Sequence, residues 1–316
     1  MLEDSALARC GIVCDAGRMF VRILLSLVVF TGCLFAEDAY EIRLARAMKA
    51  GDRFDVSVKM ALDDSVATSF DGDEVENNQT VVACRLTGEL NIVAVTSKGQ
   101  PMEVRLKLKT VECIEDGQPS AFFKAGDELH LKKDEPDNLA EVNGEPAEDI
   151  QTQVIESILS VESEGDVSDD DVFGTKEKVK VGAEWPLNAK AAMADFARQG
   201  ITELKPEDFT GTAKLMEVTT FANQPALRVR MESKVNAKGG ALSSLPETVK
   251  AVRFLAELSG EIDLPTDLHS NSGKTKGMSK LEVDGVGKIE QDGVEKKVAV
   301  KIRRRVATEL TGTQVK

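Results

Sequence analysis

The sequence predicts an α+β, sheet-dominated protein, with antiparallel β-strands in two related halves and about three amphipathic helices packed on the sheet. Three observations predict it. Apolar and charged residues alternate with period two over long stretches, only three segments carry helical spacing, and stretches 123 residues apart read alike.

The strands come first. Within residues 104–111, Val104, Leu106 and Leu108 face one way, while Arg105, Lys107 and Lys109 face the other. Residues 227–235 repeat the pattern, and residues 298–306 set Val298, Val300 and Ile302 against Lys301, Arg303 and Arg305. One apolar and one charged face suit antiparallel sheets that are wet on one side.

The helices follow. Residues 147–161 come after Pro146 and align Ile150, Val154 and Ile158. Residues 188–199 are alanine-rich, with Asn188 as N-cap and Gly200 as the stop. Ser244-Leu245-Pro246-Glu247 has the form of a capping box, opening a helix through about Glu257 with Val249, Val252 and Ala256 inward.

Residues 87–96 resemble 210–219, and at the same offset 104–108 match 227–231 without a gap. Residues 49–54 and 180–185 share an opening phrase, as do 126–131 and 260–264 later on. An internal duplication is therefore expected: a first β-rich half over 37–161 ending in a helix, an acidic linker over 162–178, and a second β-rich half over 179–316.

The first 36 residues read as a signal segment. The uncharged run Ile23 to Phe35 follows Arg22, and Ala36 precedes Glu37-Asp38. Its 13 residues fall short of the roughly 20 needed to span a bilayer. The acids Glu3, Asp4 and Asp15 are unusual ahead of such a run, so Met19 is an alternative start. Phe30-Thr31-Gly32-Cys33 has the form of a bacterial lipobox, which makes Cys33 a lipidation candidate, with cleavage after Ala36 as the favoured route. Export to the periplasm or the cell exterior is expected, with lipid anchoring as the variant through Cys33.

Residues 1–36 carry three acids and three bases, so the rest of the chain keeps the net charge of −14. That charge repels nucleic acid and anionic membrane surfaces. No later stretch is apolar enough to span a membrane. With one Trp and one Tyr, a stacking platform for sugars is not expected either.

Beyond the first 36 residues the cysteines are Cys84 and Cys113. Strands over 79–96 and 102–114 flank Ser97-Lys98-Gly99-Gln100, and a tight turn centred on Lys98-Gly99 gives paired residues whose numbers sum to 197. Cys84 and Cys113 satisfy that sum at a non-hydrogen-bonded position, where side chains stand closest. They form the disulfide candidate, with two reduced, buried thiols as the alternative.

Catalytic motifs are lacking. His130 and His269 are the two histidines, and neither has metal-ligand spacing to a Cys or carboxylate. There is no Gly-x-Ser-x-Gly elbow. Asp166, Ser168, Asp170 and Glu177 fit an EF-hand frame only loosely, because Asp171 stands where glycine is required. No catalytic, metal or cofactor site is assigned, and a non-enzymatic role is expected.

In patterning alone, strands apolar on one face together with amphipathic helices resemble the plan of periplasmic lipoprotein-carrier and lipid-carrier proteins, a curved antiparallel sheet with helices laid over it. That resemblance implies a cavity for an apolar small molecule or lipid between sheet and helices. The alternative is a structural or protein-interaction module with an envelope protein as partner. Hydrolase chemistry, through His130 or His269, stands third.

Overall fold

Why residues 53–64 form a strand is plain from their environment. Phe54, Val56, Val58, Met60 and Leu62 are buried, while Asp55, Ser57, Lys59, Ala61 and Asp63 between them are exposed. The same alternation repeats along most of the chain in a computed structural model, which describes residues 39–315 apart from 135–136, 244, 247 and 292–293.

The strands, in chain order, are β1 (Ala39–Tyr40), β2 (Arg53–Phe70), β3 (Asp73–Val95), β4 (Pro101–Glu115), β5 (Gln118–Ser120), β6 (Glu128–Asp134), β7 (Asp137–Val142) and β8 (Glu145–Pro146). After helices α1 (Asp149–Ile158) and α2 (Asp169–Phe173) come β9 (Val179–Lys180), β10 (Glu184–Pro186) and helix α3 (Ala189–Arg198). The chain closes with β11 (Ile201–Thr202), β12 (Phe209–Phe221), β13 (Gln224–Ala237), β14 (Ala241–Leu242), β15 (Val249–Pro265), β16 (Gly273–Gln291) and β17 (Val294–Gln314).

Thirteen strands make one antiparallel sheet in the order β10-β12-β13-β15-β16-β17-β2-β3-β4-β6-β7-β8, with β5 on β4. The final strand β17 returns to the first long strand β2 and pairs with it from Val298–Phe70 to Gln314–Phe54. The two ends of the chain are thereby zipped together in mid-sheet.

One face of this sheet is covered. An N-terminal strap over residues 39–48 buries Ile42, Leu44 and Met48. Helix α1 buries Val154, Ile155 and Ile158, α2 buries Val172 and Phe173, and α3 buries Ala192 and Phe196. Phe196 meets Phe209 and Phe254 edge-on at 5.4 and 6.1 Å. The buried residues fall into two apolar clusters, one under each run of strands.

Several expectations need correction. The helix expected from Ser244 through about Glu257 is not what residues 249–257 form: β15 begins at Val249. Its ladder to β16 steps from Ala251–Gly285 to Arg253–Asp284, so Val252 is the extra residue of a bulge and stands 51% exposed. The bulge shifts the buried set from Val249 and Ala251 to Phe254 and Ala256, a spacing that imitates a helical stripe.

Residues 162–178 are not a solvated linker throughout, since they contain α2, and Glu162, Asp169 and Phe173 are buried. The other two expected helices form, as α1 and α3, and Asn188 caps α3 by accepting from the Ala191 amide at 3.3 Å.

The gapless duplication is not established. Thr87 faces Thr110, whereas Thr210, 123 residues on, faces Lys234 rather than the expected residue 233. Gly88 and Gly211 nevertheless sit alike. A Cβ on Gly88 would lie 2.4 Å from the Lys107 carbonyl oxygen, and one on Gly211 would lie 2.3 Å from that of Glu232.

Candidate functional site

The signal segment 1–36, with Met19 and Cys33, lies outside the described residues. Cys84 and Cys113 face each other across β3 and β4, with Cα atoms 4.3 Å apart as in a non-hydrogen-bonded pair, and are joined as a disulfide. The ladder reaches that register unevenly. From the turn outward the paired numbers sum to 196 at Val95–Pro101, 197 at Ala94–Glu103, 196 from Ile92–Val104 to Gly88–Leu108, and 197 again from Thr87–Thr110. Successive bulges compensate one another.

His130 is buried on the sheet's uncovered face, between carboxylates from the two neighbouring strands. Its Nδ1 lies 2.7 Å from Glu141 and its Nε2 lies 3.0 Å from Glu103. Both ring nitrogens are thus engaged, and neither is left for a serine hydroxyl as a Ser-His-Asp arrangement would need. His269 is exposed in the loop before β16. The acids of the EF-hand frame have other partners: Asp166 accepts from the Ser163 amide and Arg198, and Asp170 accepts from the Leu44 and Ala45 amides. Among the described residues no group of three His, Cys, Asp or Glu could hold a metal ion, and no helix is long and apolar enough to cross a membrane.

An apolar ligand is expected between the sheet and the helices, and an apolar cavity lies there among the described residues. That cavity, lined by Phe54, Leu90, Leu106, Ile158 and Leu159 among others, has about 20 Å³, room for a single water. The strap helps to fill the covered face, and polar bonds hold it there. Arg46 donates to the carbonyls of Pro265 at 2.7 Å, Ser270 at 3.1 Å and Asp267 at 3.4 Å. Burial pulls the Arg46 guanidinium down to about 10, which still leaves it a cation at neutral pH.

Open space lies on the other face. Successive register partners place Thr212, Glu232, Ser259, Met278, Ala307, Ala61, Ala83 and Ile114 in one row across eight strands, from β12 to β4. The row's central residues are short, so it forms the floor of a trough. Two residues away along the strands, Arg85, Lys59, Glu309, Lys276 and Glu261 make one wall. On the opposite side Asp63, Arg305, Lys280, Glu257 and Lys234 make the other. Three adjoining depressions of about 480, 460 and 590 Å³ follow this trough, each sharing residues with the next.

Most cations around it are neutralised locally. Arg228 grips Asp263 in bidentate fashion at 2.7 and 3.0 Å, which raises its pKa further. Lys59 and Lys274 share Glu309, and Lys280 pairs with Glu282, holding both carboxylates below the usual range. Lys276 and Arg305 differ. Neither has a carboxylate within ion-pair distance among the described residues, and the Arg305 Nε donates instead to the Met278 sulfur at 3.2 Å. Sequence reading missed this trough because it depends on the register of eight strands.

No family model and no curated protein matches the chain. Two solved structures were found, the complex structure of Pseudomonas aeruginosa MucA/MucB and MucB in complex with MucA(peri). Each is 8% identical with a TM-score of 0.14 over 77% of this chain, covering 88% and 87% of the other. At that score the likeness carries no argument about fold or function.

Proposed function

We propose that this is an exported, non-enzymatic protein of the cell envelope that acts as a protein-interaction module through the uncovered face of its sheet. The observation that carries the reading is the contrast between the two faces. The covered face, where a carried lipid would sit, retains a cavity of about 20 Å³, while the uncovered face offers an unfilled trough. A lipid chain needs several hundred Å³, so a resident apolar ligand would have to displace the strap or the helices. Export rests on the uncharged run after Arg22, and the two six-strand runs are read as products of a duplication.

The test has two parts. Native mass spectrometry of the protein purified from its own compartment, followed by organic extraction, should give the mass of the chain cleaved near Ala36 with no stoichiometric lipid. A photo-crosslinker at Ala61 should give a discrete protein adduct in intact cells, while one at Val252, outside the trough, should not. A stoichiometric extractable lipid would sink the reading in favour of the carrier function.

A further inference from the structure

We infer that the trough is the seat for an amphipathic α-helix of a partner protein, laid across the strands, with an apolar stripe flanked on both sides by carboxylates. This rests on the protein-interaction reading above and specifies its occupant.

Shape is the first argument. The walls stand four residues apart along each strand, Lys59 to Asp63 on β2, which is about 13–14 Å. An α-helix with its side chains is about 10–12 Å across. Eight strands give a trough of roughly 34 Å, the length of a helix of about 22 residues. Ala61, Ala83 and Ala307 at the centre let such a helix approach the sheet closely, and Met278 and Ile114, 37% and 48% exposed, offer apolar contact.

Charge is the second. The whole chain has 54 acids against 40 bases, yet the trough and its walls carry seven cations against six carboxylates, Asp63 included. Within it Lys276 on one wall and Arg305 on the other lack carboxylate partners among the described residues and flank the Met278–Ala307 floor. Two cations on opposite walls with no ion-pair contact are complemented by carboxylates on both flanks of whatever lies between them. An acidic chain would repel a polynucleotide beyond these few charges. The lining contains no Phe, Tyr or Trp on which a sugar could stack.

The test uses the full chain and two synthetic helical peptides of about 22 residues, each with one leucine stripe, flanked by glutamates in one and by lysines in the other. Fluorescence anisotropy should show binding of the glutamate-flanked peptide at least tenfold tighter than of its lysine-flanked twin. The double variant Lys276→Glu/Arg305→Glu should reverse that preference, and Ala307→Trp, which fills the floor without changing charge, should weaken both peptides at least tenfold. Circular dichroism of the variants should remain that of the parent. Equal affinity for the two peptides, or binding untouched by these substitutions, would overturn the inference. A protein adduct at Ala61 with no preference for the acidic peptide would defeat the helix alone, whereas absence of both would defeat the interaction reading with it.

Discussion

Asp64 of β2 and Arg304 of β17 are register partners, both buried, on the covered face where the strands from the two ends of the chain meet. They mark the border between the two apolar clusters. Leu62 and Val306 on one side belong to the first, and Val66 and Ile302 on the other belong to the second. Asp64 feels the charge of Arg304 across the ladder. Removing one of two buried opposite charges strands the other, at up to about 3–5 kcal/mol, whereas replacing both by apolar groups is often neutral or stabilising. Asp64→Leu and Arg304→Met are each expected to lower urea stability by that amount. The double variant should lose less than about 1 kcal/mol, a coupling readable in a double-mutant cycle. Additive losses would mean the two charges do not act as a pair.

The same pair gives a pH dependence with a definite sign. Burial, only partly opposed by the charge of Arg304, raises the Asp64 carboxyl above its ordinary value. The folded protein therefore holds that proton more tightly than the unfolded chain does. Stability falls as pH rises through the window between the unfolded and folded values, and the cost is fully present above it. The Asp64→Leu/Arg304→Met variant lacks this cost, so its stability relative to the parent should improve as pH rises from the ordinary aspartate value through the raised folded one. A difference independent of pH would refute the assignment.

Cys84 and Cys113 close a loop with a sequence separation of 29, for which chain entropy predicts about 3–4 kcal/mol of stabilisation. Cys84→Ala/Cys113→Ala should lower the free energy of unfolding in urea by an amount near that figure, with a matching fall in the midpoint, and reduction of the parent should do the same. If reduction leaves the midpoint unmoved, the bond adds nothing to the sheet.

Gly88 and Gly211 are close-approach glycines. An alanine at either would drive a Cβ against the opposite strand's carbonyl oxygen, at 2.4 and 2.3 Å, and backbone cannot move aside as a side-chain tip can. Gly88→Ala and Gly211→Ala are each expected to destabilise by about 1–3 kcal/mol. Gly273→Ala, where the nearest atom is 3.4 Å away, serves as the control and should stay close to the parent in thermal unfolding. Tolerance at both tight sites would show that the strands can separate locally.

Much of this architecture was legible because period-two alternation survives on long strands. The apolar sets of β4, β13 and β17 could be read directly, and so could the Asn188 cap of α3. What failed did so where a bulge intervened. Val252 turned β15 into an apparent helix, and uneven registers in β12–β13 broke the 123-residue alignment. The Cys84–Cys113 register came out as the turn arithmetic required, although its bulges were invisible in the sequence. The trough and the Asp64–Arg304 pair were out of reach for another reason. Each joins residues that are neighbours only because β17 returns to β2, a contact between the two ends of the chain that no local pattern announces.

The strap makes the last prediction, because it helps to fill the face a ligand would otherwise occupy. Both carboxylate oxygens of Asp170 accept backbone protons, from Leu44 at 2.7 Å and Ala45 at 3.2 Å, and Arg46 is tied to the loop after β15. Asp170→Ala leaves two part-buried amides without their acceptor, at about 1–3 kcal/mol each, and Arg46→Met strips charged donors from four carbonyls, that of Arg43 included, at similar cost. Residues 39–48 in either variant should then exchange their amide hydrogens through local opening, while β2 and β17 keep the protection of the whole fold. With the strap loosened, the variants should also bind an apolar fluorescent dye that the parent excludes. Unchanged protection at Leu44 and Ala45, or dye binding by the parent itself, would show that the strap is not what keeps this face closed.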